Sequence, residues 1–161
     1  MKRLAVAAAV LLLSACGDQG ADHGKAAASD RPTPTPAEKA ALLASLPAPY
    51  NAADLDNGRR VFARCRACHT LNEGGPNMTG PNLFGLFGRE AGGHPGYNYS
   101  TVVRDADFLW DAERLDHWLE NPREFLRGNK MSFPGIPDEE DRRDVIAWLK
   151  VETGYAAPPA S

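Results

Sequence analysis

Residues 64–70 read RCRACHT and hold two of the chain's three cysteines and one of its four histidines. Cys65 and Cys68 are three residues apart, and His69 is four from Cys65. Side chains at those offsets on a helix face the same way. A disulfide between Cys65 and Cys68 suits an exported protein but needs no histidine. A zinc site wants a second pair of ligands, and the rest of the domain has no cysteine. A thioredoxin-like redox pair follows a strand and opens a helix; here the helix comes first. The c-type haem attachment pattern uses all three residues. Two thiols bond to the vinyl groups on one porphyrin edge, and the histidine turns a ring nitrogen to the iron.

The rest of the composition agrees with a small domain organised around such a group. The chain has 161 residues, a formal charge of −3 and 43% hydrophobic residues, enough for one small domain plus extra length. The mild acidity gives no footing for nucleic acid. Fifteen glycines and thirteen prolines point to a loop-rich fold. A core built that way needs a staple, and a porphyrin supplies one.

Lys2 and Arg3 precede an apolar run from Leu4 to Leu13, followed by Ser14-Ala15-Cys16. Residues 1–15 fit an export signal and are too short for a membrane-spanning helix. LSAC, residues 13–16, is similar to a bacterial lipobox, which would make Cys16 the lipidated N-terminus of the mature protein. An ordinary cleaved signal is the alternative. Residues 16–49 read as a flexible Ala/Pro-rich tether, stiffened at PTPTP and with a possible short helix over 37–46. The globular domain is expected over 50–155, followed by a short tail, 156–161.

Three helices are expected in that domain. In the first, Leu55, Gly58, Val61, Phe62 and Cys65 recur at helical spacing, with Asp54 as N-cap. The second is capped by Asp111 and carries Leu115, Trp118 and Leu119 on one face, with Pro122 at its end. The third has acids in its first turn, Lys150 in its last and Gly154 after it, as the helix dipole prefers. Its buried face is Val145, Trp148 and Leu149. Residues 71–109 are dense in turn signals, and no strand is expected.

An iron held by His69 has a sixth position. Met78, Met131, His94 and His117 are the candidates. Met78 lies too close to His69 in sequence to reach the opposite porphyrin face, and the two histidines read as surface residues. Met131, in a flexible stretch between helices, is the choice. A thioether favours ferrous iron, raises the reduction potential and occupies the position where oxygen would bind.

From about residue 55 to 150 the chain resembles the class I cytochromes c, close to the mitochondrial and bacterial c2-like branch. The resemblance rests on CRACH (65–69), TGPNLFGLFGREAG (79–92), GYNYS (96–100), LW (109–110), WLENP (118–122), GNKMSF (128–133) and DVIAWLK (144–150), in the family's order and spacing. It implies an all-α cytochrome c fold, with three main helices and long loops wrapped around one covalent haem c. It implies thioether links through Cys65 and Cys68 and axial ligation by His69 and Met131. Pro81 would offer its carbonyl to the other ring nitrogen of His69. Tyr99 and Trp110 would hydrogen-bond a haem propionate, with Arg89 close by. Gly58 and Phe62 would cross Val145 and Trp148. The chain departs from the family pattern at four places. Trp118 replaces a tyrosine near the methionine sulfur, Asn77 a glycine-loop histidine, Arg127 a proline and Val103 an asparagine.

Relatives dock through a lysine-rich rim around the haem edge. Here Arg64, Arg66, Arg127 and Lys130 could form a small positive rim, or belong to an ordinary mixed surface; acids gather at 138–141. These readings converge on a monomeric, membrane-tethered monohaem cytochrome in a bacterial periplasm. It would carry single electrons between membrane redox complexes, with no catalytic acid, base or nucleophile. A haem sensor or enzyme with a labile sixth ligand, and a fixed cytochrome subunit of an oxidase or dehydrogenase, are the alternatives.

Overall fold

The computed structural model describes residues 34–154. The export signal, Cys16 and the tail lie outside the described residues. Six helices run in the order α1 (Pro36–Ala44), α2 (Leu55–Val61), α3 (Thr101–Arg104), α4 (Ala112–Glu120), α5 (Pro122–Phe125) and α6 (Glu139–Thr153). Among the described residues there is no strand, only an isolated antiparallel bridge between Glu90 and Leu109. None of these helices is long and apolar enough to cross a membrane.

The caps follow side-chain chemistry. Asp54 accepts from the amides of Asp56 and Asn57, Asp111 from Arg114, and Asp138 from Asp141. Each carboxylate satisfies amide donors that the first helical turn cannot pair internally. Pro122 does not simply end α4. It opens α5 at a first-turn position, where a missing N–H costs nothing.

α2 crosses α6, and glycine permits the approach. A Cβ on Gly58 would fall 2.6 Å from Cβ of Trp148 and collide with the Asp144 carbonyl. Phe62 stacks on Trp148 with ring centroids 4.8 Å apart. Buried Asp144 ties the crossing polar-side too, accepting from the Asp54 amide at 3.1 Å and from Asn57 Nδ2 at 3.0 Å. Around α6, Val145, Ile146, Ala147, Leu149 and Val151 are all buried. This is broader than the single face the sequence pattern implies.

The N-terminal side differs from the expected tether. The short helix suggested for 37–46 forms as α1, capped by a reciprocal Thr35–Glu38 box, but it packs on the domain and is not a free linker. Leu46 is buried in the core and Leu43 packs against it. Lys39 Nζ reaches Glu152 Oε1 on α6 at 3.3 Å. The packed unit therefore starts before Tyr50. Apolar residues at 43, 46 and 50 are spaced to reach the core.

Candidate functional site

The RCRACHT stretch leaves α2 through a tight turn, Phe62–Arg64, and continues as successive turns rather than as regular helix. The helical geometry survives locally, because the His69 amide donates to the Cys65 carbonyl at 3.1 Å. Cys65 and Cys68 line one side of a large cleft, and no disulfide joins them. Burial pushes the Cys65 thiol up to about 11, partly offset by Arg64. Among the described residues, no group of three or more His, Cys, Asp or Glu is placed to hold a metal ion by itself.

His69 is fixed from two directions. Its Nδ1 donates to the Pro81 carbonyl at 2.7 Å, which leaves Nε2 as the unprotonated nitrogen facing the cleft. Gly80 lies flat against the ring, and a Cβ there would sit 2.7 Å from Nδ1. Burial lowers the His69 pKa below its usual value, against the pull of the Pro81 hydrogen bond. The ring is thus kept neutral, the form that binds a metal.

The cleft opens into about 1340 Å³ of atom-free space, solvent at its mouth included. Apolar walls come from Leu83, Leu86, Val103, Leu115, Val145 and Leu149. Met131 also lines it, brought there by the segment between α5 and α6. Met78 is 47% exposed and outside it, His117 is exposed on α4, and His94 sits in its loop beside the Pro95 carbonyl. Of the five side chains weighed as iron ligands, only His69 and Met131 line the cleft.

Tyr99, Trp110 and Arg89 line the same cleft. Backbone pairing of Gly88 and Arg89 with Trp110, at 2.8 and 2.9 Å, sets two of them side by side. Arg89 is anchored on the carbonyls of Phe84 and Asn82, at 3.0 and 3.2 Å. Its burial lowers its pKa, a cost that an anionic group nearby would relieve. Burial likewise raises the Tyr99 pKa, so this phenol stays a donor.

Sequence reasoning missed Ser100, next to Tyr99. Its hydroxyl is buried, lines the cleft and has no hydrogen-bond partner in the protein. A buried hydroxyl left unpaired costs about 1–3 kcal/mol, so it marks where a bound polar group belongs. Nothing in the stretch GYNYS distinguishes this serine from a surface one. The cleft thus offers two thiols and an imidazole on one side, a thioether, apolar walls and an end of buried donors. A porphyrin with two propionates fits every part of that set.

The aromatic replacement at 118 is also visible. Trp118 lines the cleft and meets Trp110 and Phe125 edge to face, with centroids 5.6 and 6.1 Å apart. It fills space through ring packing and brings no hydroxyl.

Comparison with known proteins gives the same answer from sequence similarity. The family profile described as cytochrome c matches residues 55–151. A cytochrome c from Kluyveromyces lactis is 40% identical over 105 residues, covering 65% of this chain and 96% of that protein. One from Sesamum indicum is 40% identical over 101 residues, covering 62% of this chain and 91% of its own. A protein named cytochrome c homolog, from Bradyrhizobium diazoefficiens, is 34% identical over 141 residues, covering 87% of this chain and 72% of its own. The chain belongs to the cytochrome c family: it binds one haem c covalently through Cys65 and Cys68 and is a monohaem electron carrier with redox proteins as partners.

Proposed function

We propose that this cytochrome is a lipid-anchored shuttle of the class I, c2-like branch, held to a membrane through Cys16 in a bacterial periplasm. It passes one electron at a time between membrane redox complexes, through an iron that His69 and Met131 would hold. The observation that carries the ligation is that His69 and Met131 alone, among the candidate ligands, line the cleft. When bound, the haem iron supplies the one-electron couple. The protein supplies its surroundings. His69 presents a neutral nitrogen, held by Pro81. Met131 presents a soft sulfur. Arg89, Tyr99, Trp110 and Ser100 line the cleft and would hold the propionates, and the apolar walls would limit water at the iron. No side chain acts as general acid, base or nucleophile.

The anchor rests on the basic start, the apolar run and the LSAC stretch. The Bradyrhizobium alignment is longer than the 55–151 domain, so that likeness extends into the N-terminal segment. A tether of this composition lets the domain sweep a small volume at high local concentration. Arg64 engages Asp141 at 3.7 Å, which leaves Lys130, whose ammonium meets the neutral Asn98 carbonyl, with Arg66 and Arg127 to carry any positive rim. An electrostatic share of docking would fade as salt rises.

Optical spectra of the full chain, expressed with haem-attachment machinery, test the ligation. The expected result is a methionine-to-ferric charge-transfer band and no spectral shift with carbon monoxide. An absent band with a clear carbon monoxide shift would move a sensor or enzyme ahead of the shuttle. Labelled palmitate tests the anchor: incorporation that disappears in Cys16→Ser supports it, and an unlabelled wild type refutes it.

A further inference from the structure

The segment carrying Met131 lacks two supports that the family pattern provides, a proline at position 127 and a hydroxyl at 118. The structure shows how this segment is held without them. Asn129 uses every polar atom of its side chain on the backbone around Met131. Its Nδ2 donates to the Pro122 carbonyl at 2.6 Å and to the Leu126 carbonyl at 2.9 Å. Its Oδ1 accepts the amide of Met131 itself at 2.8 Å. Only one orientation of the amide satisfies all three, because two neighbours are acceptors and the third is a donor. The Asn129 amide adds a fourth bond to Leu126, at 3.1 Å. Gly128, with φ +94°, makes the turn that brings the side chain back over α5.

We propose that Asn129 is a positioning residue for Met131, a staple that ties the ligand's own backbone amide to the end of α5. It acts on the backbone, not on the sulfur. Pro122 is buried and opens a helix that follows directly on α4, so the staple refers Met131 to the rigid part of the fold. The other end of the segment is anchored separately, since the Ile136 amide donates to the Leu119 carbonyl at 2.7 Å. Losing the staple frees the N-terminal half of the segment, and the thioether then leaves the iron more often. An external ligand that competes with Met131 binds in proportion to that open fraction. Losing the whole set raises competitor affinity roughly tenfold or more.

The inference rests on Met131 being the sixth ligand, and the experiment separates the two. Ferric haem-loaded wild type, Asn129→Ala, Asn129→Asp and Met131→Ala are titrated with imidazole, followed at the charge-transfer band, and unfolded in urea. Asp has the size of Asn but sets an oxygen against two carbonyls, so it tests the bonds and not the volume. The expected result is about tenfold tighter imidazole binding in both Asn129 variants, with a weakened band. Imidazole affinity within twofold of wild type in both overturns the role of Asn129, whatever their urea midpoints, since a purely structural residue moves the midpoint alone. A wild type without the band that binds imidazole as tightly as Met131→Ala overturns the ligation, and this inference with it.

Discussion

His69 reaches the cleft one residue after Cys68, whereas Met131 arrives at the end of a long path through α3, α4 and α5. The histidine side is a mesh of short-range bonds. Besides Pro81, the Gly80 amide donates to the Cys68 carbonyl and the Leu83 amide to that of Thr70, both at 2.9 Å. Asn82, 2% exposed, donates to Thr70 Oγ1 at 2.7 Å and to the Asn72 carbonyl at 2.9 Å. Asn77, where the family often has a histidine, accepts the Asn82 amide at 3.0 Å and donates to the Pro95 carbonyl at 3.2 Å. An uncharged amide makes both contacts at any pH. Tyr97 closes the mesh by donating to the Thr79 carbonyl at 2.6 Å. The methionine side is instead a span pinned at its ends, by Asn129 at one and by Ile136 with Arg142 at the other, with Ser132 and Pro134 exposed between. One ligand is built into the attachment site and the other is delivered by tertiary packing. The two should therefore fail differently.

The largest effect separates the two ligands directly. His69→Ala removes the group around which the mesh closes and leaves Pro81 without its donor. Folding and haem retention are coupled, so the yield of haem-loaded protein should fall by at least roughly tenfold. Met131→Ala should still accumulate as folded haem protein, with an iron open to carbon monoxide. Haem staining of gels and far-UV circular dichroism read both. Equal losses in the two variants would erase the contrast.

Arg142 gives the next effect, on the methionine side alone. Its Nε donates to Asp116 Oδ1 at 2.8 Å, and its Nη1 to the carbonyls of Ile136 and Pro137, both at 2.9 Å. Burial opposes the charge, but the hydrogen bond and charge of Asp116 outweigh it and hold the guanidinium above its usual range. One cation thus joins α4, α6 and the end of the Met131 segment. Arg142→Ala strands a part-buried carboxylate and two carbonyls, and losing charge-assisted hydrogen bonds of this kind costs about 1.5–3 kcal/mol. Urea unfolding measures the cost. The charge-transfer band should vanish at lower urea than the helical signal. Simultaneous loss, or a cost below about 1 kcal/mol, would show that Arg142 does not govern this side.

The same division explains what the sequence made readable. CRACH and the helix caps depend on neighbours a few residues away and stand where that spacing puts them, whereas the α2–α6 crossing is legible only through the family resemblance. Asp54 and Asp111 cap as expected because capping is local chemistry. Ser100, Asn129 and Arg142 owe their roles to partners that only tertiary structure brings near, and a lone polar residue in a loop carries no mark of it. The N-terminal helix failed to register as part of the fold for a related reason. The helix buries no residue fully and packs through Leu43, with Leu46 and Tyr50 following it, and the Ala- and Pro-rich setting looks like linker until α6 is placed beside it.

The smallest effect lies beside the Arg142 pair and appears only in alkali. Tyr50 is 9% exposed. Burial, then the negative charges of Asp116 and Glu113, push its phenol up to about 12, although Arg142 pulls the other way. In the unfolded chain the phenol ionises near its ordinary value of about 10. Between those two values the unfolded state has lost a proton that the folded state keeps, so stability falls as pH rises. Tyr50's contribution is complete below about pH 10 and gone once pH passes the folded value. One unit of difference corresponds to about 1.4 kcal/mol, so at pH 11 the loss should be about 1 kcal/mol. Tyr50→Phe keeps the ring and cannot ionise. Urea unfolding at pH 9 and pH 11 should show wild type losing more stability than the variant over that interval. If both lose the same amount, the alkaline weakness lies elsewhere, and the α4–α6 contact that holds the methionine span does not depend on a neutral Tyr50.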